Sequence, residues 1–139
     1  MIAGLVLDAS VALAWCFADE ATPAAWQVLD RLGVESAVAP NLMLLEIASV
    51  LALADRKGRI TAARIAEFVD LIDGLPIETG EETTARALRQ VLDLARSTRL
   101  TAYDAYYLEF AMRRGLPLAS KDARLRDAAT RLGVALLGA

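Results

Sequence analysis

Apolar and polar positions along the chain alternate between two periods. Short, nearly continuous apolar runs stand at GLVLD (4–8), SAVAP (36–40), LPIET (75–79), LPLAS (116–120) and VALL (134–137). Their length and flanking turn residues predict strands buried on both faces. Between them the apolar residues recur at helical spacing. Ser10 offers a cap for a helix through about Phe17, and Thr22-Pro23 opens a second to about Leu32. Asn41 caps a third, which runs to Lys57 and stops at Gly58. Thr61 begins a fourth, with Ile65, Phe68, Val69 and Ile72 on one face and Gly74 after it. Residues 81–97 repeat the period through Ala85, Leu88, Leu92 and Ala95. Thr101 starts a helix ending at Gly115, and a last one runs to about Arg131.

Strands alternating with helices predict an α/β fold whose largely parallel sheet is covered on both faces. No linker, repeat or low-complexity segment divides the chain, so residues 1–139 read as one domain. Right-handed crossovers bring the carboxyl ends of parallel strands to one edge, and ligands bind in the crevice outside that edge. Chemistry is therefore sought just after each strand.

Composition narrows that chemistry. The chain has no histidine, which removes Ser-His-Asp and Cys-His catalysis, zincin sites and imidazole bases together. Its one cysteine, Cys16, forms no internal disulfide and no Cys metal motif. A net charge of −3 argues against broad electrostatic binding to nucleic acid but leaves a nucleic-acid enzyme open, because a bound divalent cation reverses the local charge. The 56% hydrophobic content and mean hydropathy of +0.39 exceed what a core requires and point to a protein partner. Asp8, Glu46 and other charges keep every apolar run below the ~18 residues of a membrane span. The first eight residues, MIAGLVLD, lack the basic region and apolar length of a signal peptide, so the expected location is the cytoplasm.

Four acids stand where the edge rule directs attention. Asp8 ends the first strand, and Asp122 lies two residues past the fourth, in LASKDARL. Glu46 is the single charge in NLMLLEIASVLALA, less than two turns into the helix after the second strand. Asp104 opens its helix in LTAYDAYYLEFA. Each has an ordinary explanation: Thr101 to Asp104 fits a capping box, Asp122 can cap the last helix, and Asp8 can bond the turn toward Ser10. Glu46, among Leu44, Leu45 and Ile47, needs a partner or a pocket. Two carboxylates ~5 Å apart repel by roughly 3 kcal/mol at an effective dielectric near 20. A converging set is therefore costly without a cation, and an oxygen-only set suits Mg²⁺ or Mn²⁺.

VLDASVALAW, Pro40 with Glu46, LTAYDAYYLEFAMRRGLPLAS and Ser120-Lys-Asp122, in this order, resemble the PIN-domain ribonucleases, closest to the VapC-type toxins of VapBC toxin–antitoxin pairs. The resemblance spans essentially the whole chain. It implies a three-layer α/β/α sandwich around a five-stranded parallel sheet, and an endoribonuclease dependent on Mg²⁺ or Mn²⁺. Asp8, Glu46, Asp104 and Asp122 match the family's acidic quartet, and Ser120 a position usually held by Ser or Thr. In that setting Asp8 and Asp104 are the core metal ligands, Asp122 completes the site, and Glu46 ligates or orients the attacking water. Lys121 is open to two readings, a phosphate contact or a charge that weakens metal binding. The family further implies an RNA substrate, a homodimer and a small antitoxin that covers the acidic pocket.

Other residues carry weaker signals. Arg86, Arg89 and Arg96 share a helix face and suit phosphates, although Asp93 is placed to pair with two of them, the more usual arrangement. Tyr103, Tyr107 and Phe110 fall at i, i+4 and i+7, where packing on the sheet outweighs base stacking. Trp15, Phe17 and Trp26 belong to the core or to an apolar groove for a partner segment. Two rival readings remain. One is a catalytically inactive PIN-like binding or assembly module. The other, a receiver or haloacid-type phosphatase, is disfavoured because Asp8-Ala-Ser10 lacks the second aspartate of the phosphatase motif.

Overall fold

In a computed structural model, which describes residues 2–80 and 87–139 (Ala87 by its backbone alone), five parallel strands form one sheet flanked by helices. The elements are β1 (Ala3–Leu7), α1 (Ala9–Ala14), a 3-10 turn (Ala18–Glu20), α2 (Pro23–Arg31), β2 (Ser36–Pro40), α3 (Leu42–Arg56), α4 (Ala62–Gly74), β3 (Ile77–Gly80), a π-helical turn (Ala87–Val91), α5 (Leu92–Thr98), α6 (Ala102–Arg114), β4 (Leu118–Ala119), α7 (Ala123–Arg131) and β5 (Leu136–Leu137). The α/β architecture expected from the two alternating periods is the one observed.

Strand order is β3-β2-β1-β4-β5. The chain winds outward from β1 through β2 to β3, then returns to the other side of β1 for β4 and β5. The order reverses between β1 and β4, which opens a crevice at their carboxyl ends. Register fixes what flanks it. Val6 pairs with Leu118 and Leu7 with Ala119, and the Asp8 amide donates to the Ala119 carbonyl at 3.0 Å. Asp8 and Ser120 are thus the first residues past two adjacent strands.

Both central strands are buried, β2 along its whole length. α6 closes over them with Ala105, Tyr107, Leu108, Phe110 and Ala111. Trp15 and Phe17 belong to this core, and the Trp15 indole donates to the Ala25 carbonyl at 2.8 Å; Trp26 is exposed. The packing expected of the aromatic row holds for Tyr107 and Phe110, whereas Tyr103 is 66% exposed.

Several local expectations are corrected. Thr22, Thr61 and Thr101 do cap their helices, each hydroxyl accepting a backbone N–H at 3.1 Å. Asn41 does not: its backbone is already helical, so its side chain makes no capping bond. Ser10 lies inside α1, which starts at Ala9, and its hydroxyl is used elsewhere. The strand expected at 75–79 forms two residues later, and β4 and β5 each pair over two residues. Of the helix expected at 81–97, Ala85 and Arg86 lie outside the described residues. Its visible part begins as a π-helical turn, a widened geometry that helical periodicity does not reveal. Arg89 and Arg96 are exposed, and among the described residues no ion pair joins either to Asp93.

Candidate active site

Asp8, Glu46, Asp104 and Asp122 all stand at the carboxyl edge of the sheet, carried by four separate segments. Asp8 is at the junction of β1 and α1 in extended conformation, only 5% exposed. Asp122 is the N-cap of α7, its Oδ1 accepting from the Leu125 amide at 2.9 Å. Asp104 is in the first turn of α6, and Glu46 in the second turn of α3.

Hydroxyl groups hold two of these carboxylates from the protein side. Oδ2 of Asp8 accepts from Ser10 Oγ and from Ser120 Oγ, both at 2.7 Å. Each serine in turn accepts a backbone N–H, Ser10 from Lys121 at 2.9 Å and Ser120 from Asp122 at 3.1 Å. With its lone pairs so occupied, each hydroxyl directs its proton at the carboxylate, which only accepts. Glu46 Oε1 accepts from the Tyr107 phenol at 2.6 Å. The Lys121 ammonium is directed to the backbone carbonyl of Glu20.

The electrostatics show that the acids sense one another. Burial is the main cause that raises the pKa of Asp8; Ser10 and Ser120 oppose it, and Asp122 adds to it. Glu46 is raised first by burial, with the charges of Asp8 and Asp104 adding and the Tyr107 bond opposing. Asp104 is pushed up to about 6, again chiefly by burial, then by Asp122 and Asp8. The Tyr107 phenol is pushed well above its ordinary value by burial, by Asp8 and by Glu46. No ion pair among the described residues involves any of the four acids; arginines pair instead with Asp19, Glu20, Glu35, Glu67 and Glu109.

One residue of this network, Tyr107, is missed by the sequence reading in that role. Ser10 is expected both as a cap and as a turn partner of Asp8, and only the second holds. Tyr107 was expected to pack, which it does, but it also satisfies Glu46. The signal was present: a buried tyrosine needs an acceptor, and a carboxylate in an apolar helix needs a donor.

The donor chemistry suits a hard divalent cation, since it is all oxygen and carries negative charge that no side chain of the described residues neutralises. As the side chains stand, no group of three or more such ligands among the described residues is close enough together to hold an ion. Binding would require the carboxylates to close inward, as mutually repelling groups do once a cation screens them.

A buried aspartate after the first strand, opposed across the reversal of strand order by a serine and a capping aspartate, defines an α/β protein with acids at the carboxyl edge of its sheet. The PIN domain family model matches residues 5–131, and the chain belongs to that family. PIN domains are typically nucleases. The crystal structure of PAE2754 from Pyrobaculum aerophilum superposes with a TM-score of 0.71 at 23% identity, over 92% of this chain and 86% of that one. That of FitAcB from Neisseria gonorrhoeae superposes with a TM-score of 0.61 at 19% identity, over 95% of each chain. At these identities the likeness is one of fold. Comparison with curated protein sequences gives no significant match.

Proposed function

We propose that this protein is an endoribonuclease that hydrolyses RNA phosphodiester bonds with Mg²⁺ or Mn²⁺, and that it is the VapC-type toxin of a toxin–antitoxin pair. One observation carries the catalytic reading: at the carboxyl edge of the sheet Asp8, Glu46 and Asp104 have raised pKa values, through burial first and through the charges of neighbouring acids second, and among the described residues no ion pair offsets them. A structural role for these residues would be better served by neutral side chains.

Asp8, Glu46, Asp104 and Asp122 would hold the metal, and Ser120 keeps Asp8 turned toward it. When bound, such an ion lowers the pKa of a coordinated water and neutralises charge on a phosphoryl group. The chain's own part is to orient. Ser10 and Ser120 both donate to Oδ2 of Asp8 and so fix how its carboxylate is turned. Asp122 uses Oδ1 to cap α7, so its Oδ2 is the freer oxygen. Asp104, raised to about 6, is mostly ionised near neutral pH and would offer a charged oxygen to the cation.

The partner assignments rest on surface as well as on resemblance. An apolar groove of about 420 Å³ lies between α3 and α4, over Ile47, Leu51 and Phe68, rimmed by Asp55 and Asp73. Leu44, which lines it, and the adjacent Leu45 are exposed, the latter by 74%. Apolar surface of this kind favours cover by an antitoxin segment or a second copy. No helix of the described residues is long and apolar enough to cross a membrane, and a cytoplasmic location is proposed.

The test is cleavage of single-stranded RNA by the purified protein with Mg²⁺ or Mn²⁺, against EDTA and against Asp104→Asn. Cleavage that requires the metal and vanishes in the folded variant supports the proposal; metal-independent cleavage or an active Asp104→Asn overturns it. The spacing of the acids as they stand favours a second reading, a non-catalytic PIN-like assembly module. Calorimetric titration that detects no divalent cation binding would support it.

A further inference from the structure

We infer that Tyr107 is a positioning residue for the candidate metal site, its hydroxyl fixing the orientation in which Glu46 meets the cation. The inference rests on the nuclease reading above and extends it to a side chain outside the acidic quartet. Tyr107 is fully buried, and its phenol reaches across from α6 to donate to Oε1 of Glu46 on α3 at 2.6 Å. The two residues are 61 positions apart, and no backbone bond ties α3 to α6 at this level. The hydroxyl therefore does what the backbone does not: it sets where the end of a flexible glutamate sits.

Three features separate this from an ordinary buried hydrogen bond. Tyr107 and Asp104 are three residues apart on one helix, so one turn of α6 presents both an acid and the donor that orients another acid. A phenol is neutral and donates one proton, so it holds Glu46 without cancelling the negative charge that attracts a cation. The bond engages Oε1 of the glutamate. Asp8 is held in the same manner, with its two serines on Oδ2. On both acids, one oxygen is committed to neutral hydroxyl donors.

The experiment compares the full chain with Tyr107→Phe, Glu46→Gln and the double variant. Mn²⁺ affinity is measured by isothermal titration without RNA, folding by circular dichroism, and kcat and KM on a fluorescent single-stranded RNA. Tyr107→Phe removes the hydroxyl and keeps the ring. The expected result is a folded protein with Mn²⁺ affinity weakened about tenfold, in the range for loss of an outer hydrogen-bond partner. RNA KM stays unchanged while kcat falls, and the double variant is no weaker than Glu46→Gln alone. Glu46→Asp provides a second probe, since shortening the acid withdraws it from the phenol; it should weaken Mn²⁺ binding with Tyr107 intact. Wild-type affinity in Tyr107→Phe or Glu46→Asp, or fully additive losses in the double variant, overturns the role of Tyr107 alone. A wild-type protein that binds no Mn²⁺ overturns the nuclease reading and this inference with it.

Discussion

Replacing Asp104 by asparagine should stabilise the metal-free protein at neutral pH while destroying its response to a divalent cation. The carboxyl is raised from 3.8 to about 6 by burial and by the charges of Asp122 and Asp8. A group whose folded pKa lies above its unfolded value binds protons more tightly in the fold, so stability is greatest below the unfolded pKa and declines as pH rises through the folded one. At about 1.4 kcal/mol per tenfold change in proton affinity, the ceiling on that loss is about 3 kcal/mol. Asp104 is partly exposed and its neighbours' charges are screened, so about 1–2 kcal/mol is expected. Asparagine is nearly isosteric and permanently neutral, and the capping bond to Thr101 comes from the backbone amide, which the substitution keeps. Melting followed by circular dichroism in EDTA should show the variant about 3–6 °C above wild type near pH 7.5 and level with it near pH 4. Adding about 10 mM Mg²⁺ near pH 7.5 should raise the wild-type melting temperature, since an ion that binds only the fold stabilises it, and leave the variant unmoved. A variant that melts at or below wild type near neutral pH in EDTA would show that Asp104 carries no charge strain.

Other perturbations separate folding from chemistry. Asp122→Ala should cost about 1 kcal/mol by removing the cap of α7, whereas Asp122→Asn keeps a capping oxygen and should lose cation affinity at nearly unchanged stability in urea. Ser120→Ala should cost about 1–3 kcal/mol, because it strips the fully buried link between Asp8 and the Asp122 amide, and it should weaken Mn²⁺ binding in the same preparation. Phe68→Ala, beneath the α3–α4 groove, should lower stability by about 3 kcal/mol or more in urea denaturation without changing cation affinity, since Phe68 is an apolar side chain on α4, which carries none of the four acids.

Much of this protein is determined by local sequence. Five apolar runs alternating with helical spacing specify an α/β sheet, because strand and helix periods are properties of neighbouring residues. Threonine caps are equally local, since hydroxyl and amide are three residues apart. The acids too were legible, because each stands at the end of a strand or early in the helix beyond it. What the sequence left open was set by register and by packing between distant segments. The pairing of Leu7 with Ala119 is what brings Ser120 onto Asp8, whereas the bond from Ser10 to the same carboxylate spans two residues and is local. The Tyr107–Glu46 bond and the separation of exposed Tyr103 from its buried row depend on how α6 is rotated against α3 and the sheet, and that rotation is chosen by the whole core. Hydrogen bonds between residues far apart in the chain follow from three-dimensional closure, which no window of sequence contains.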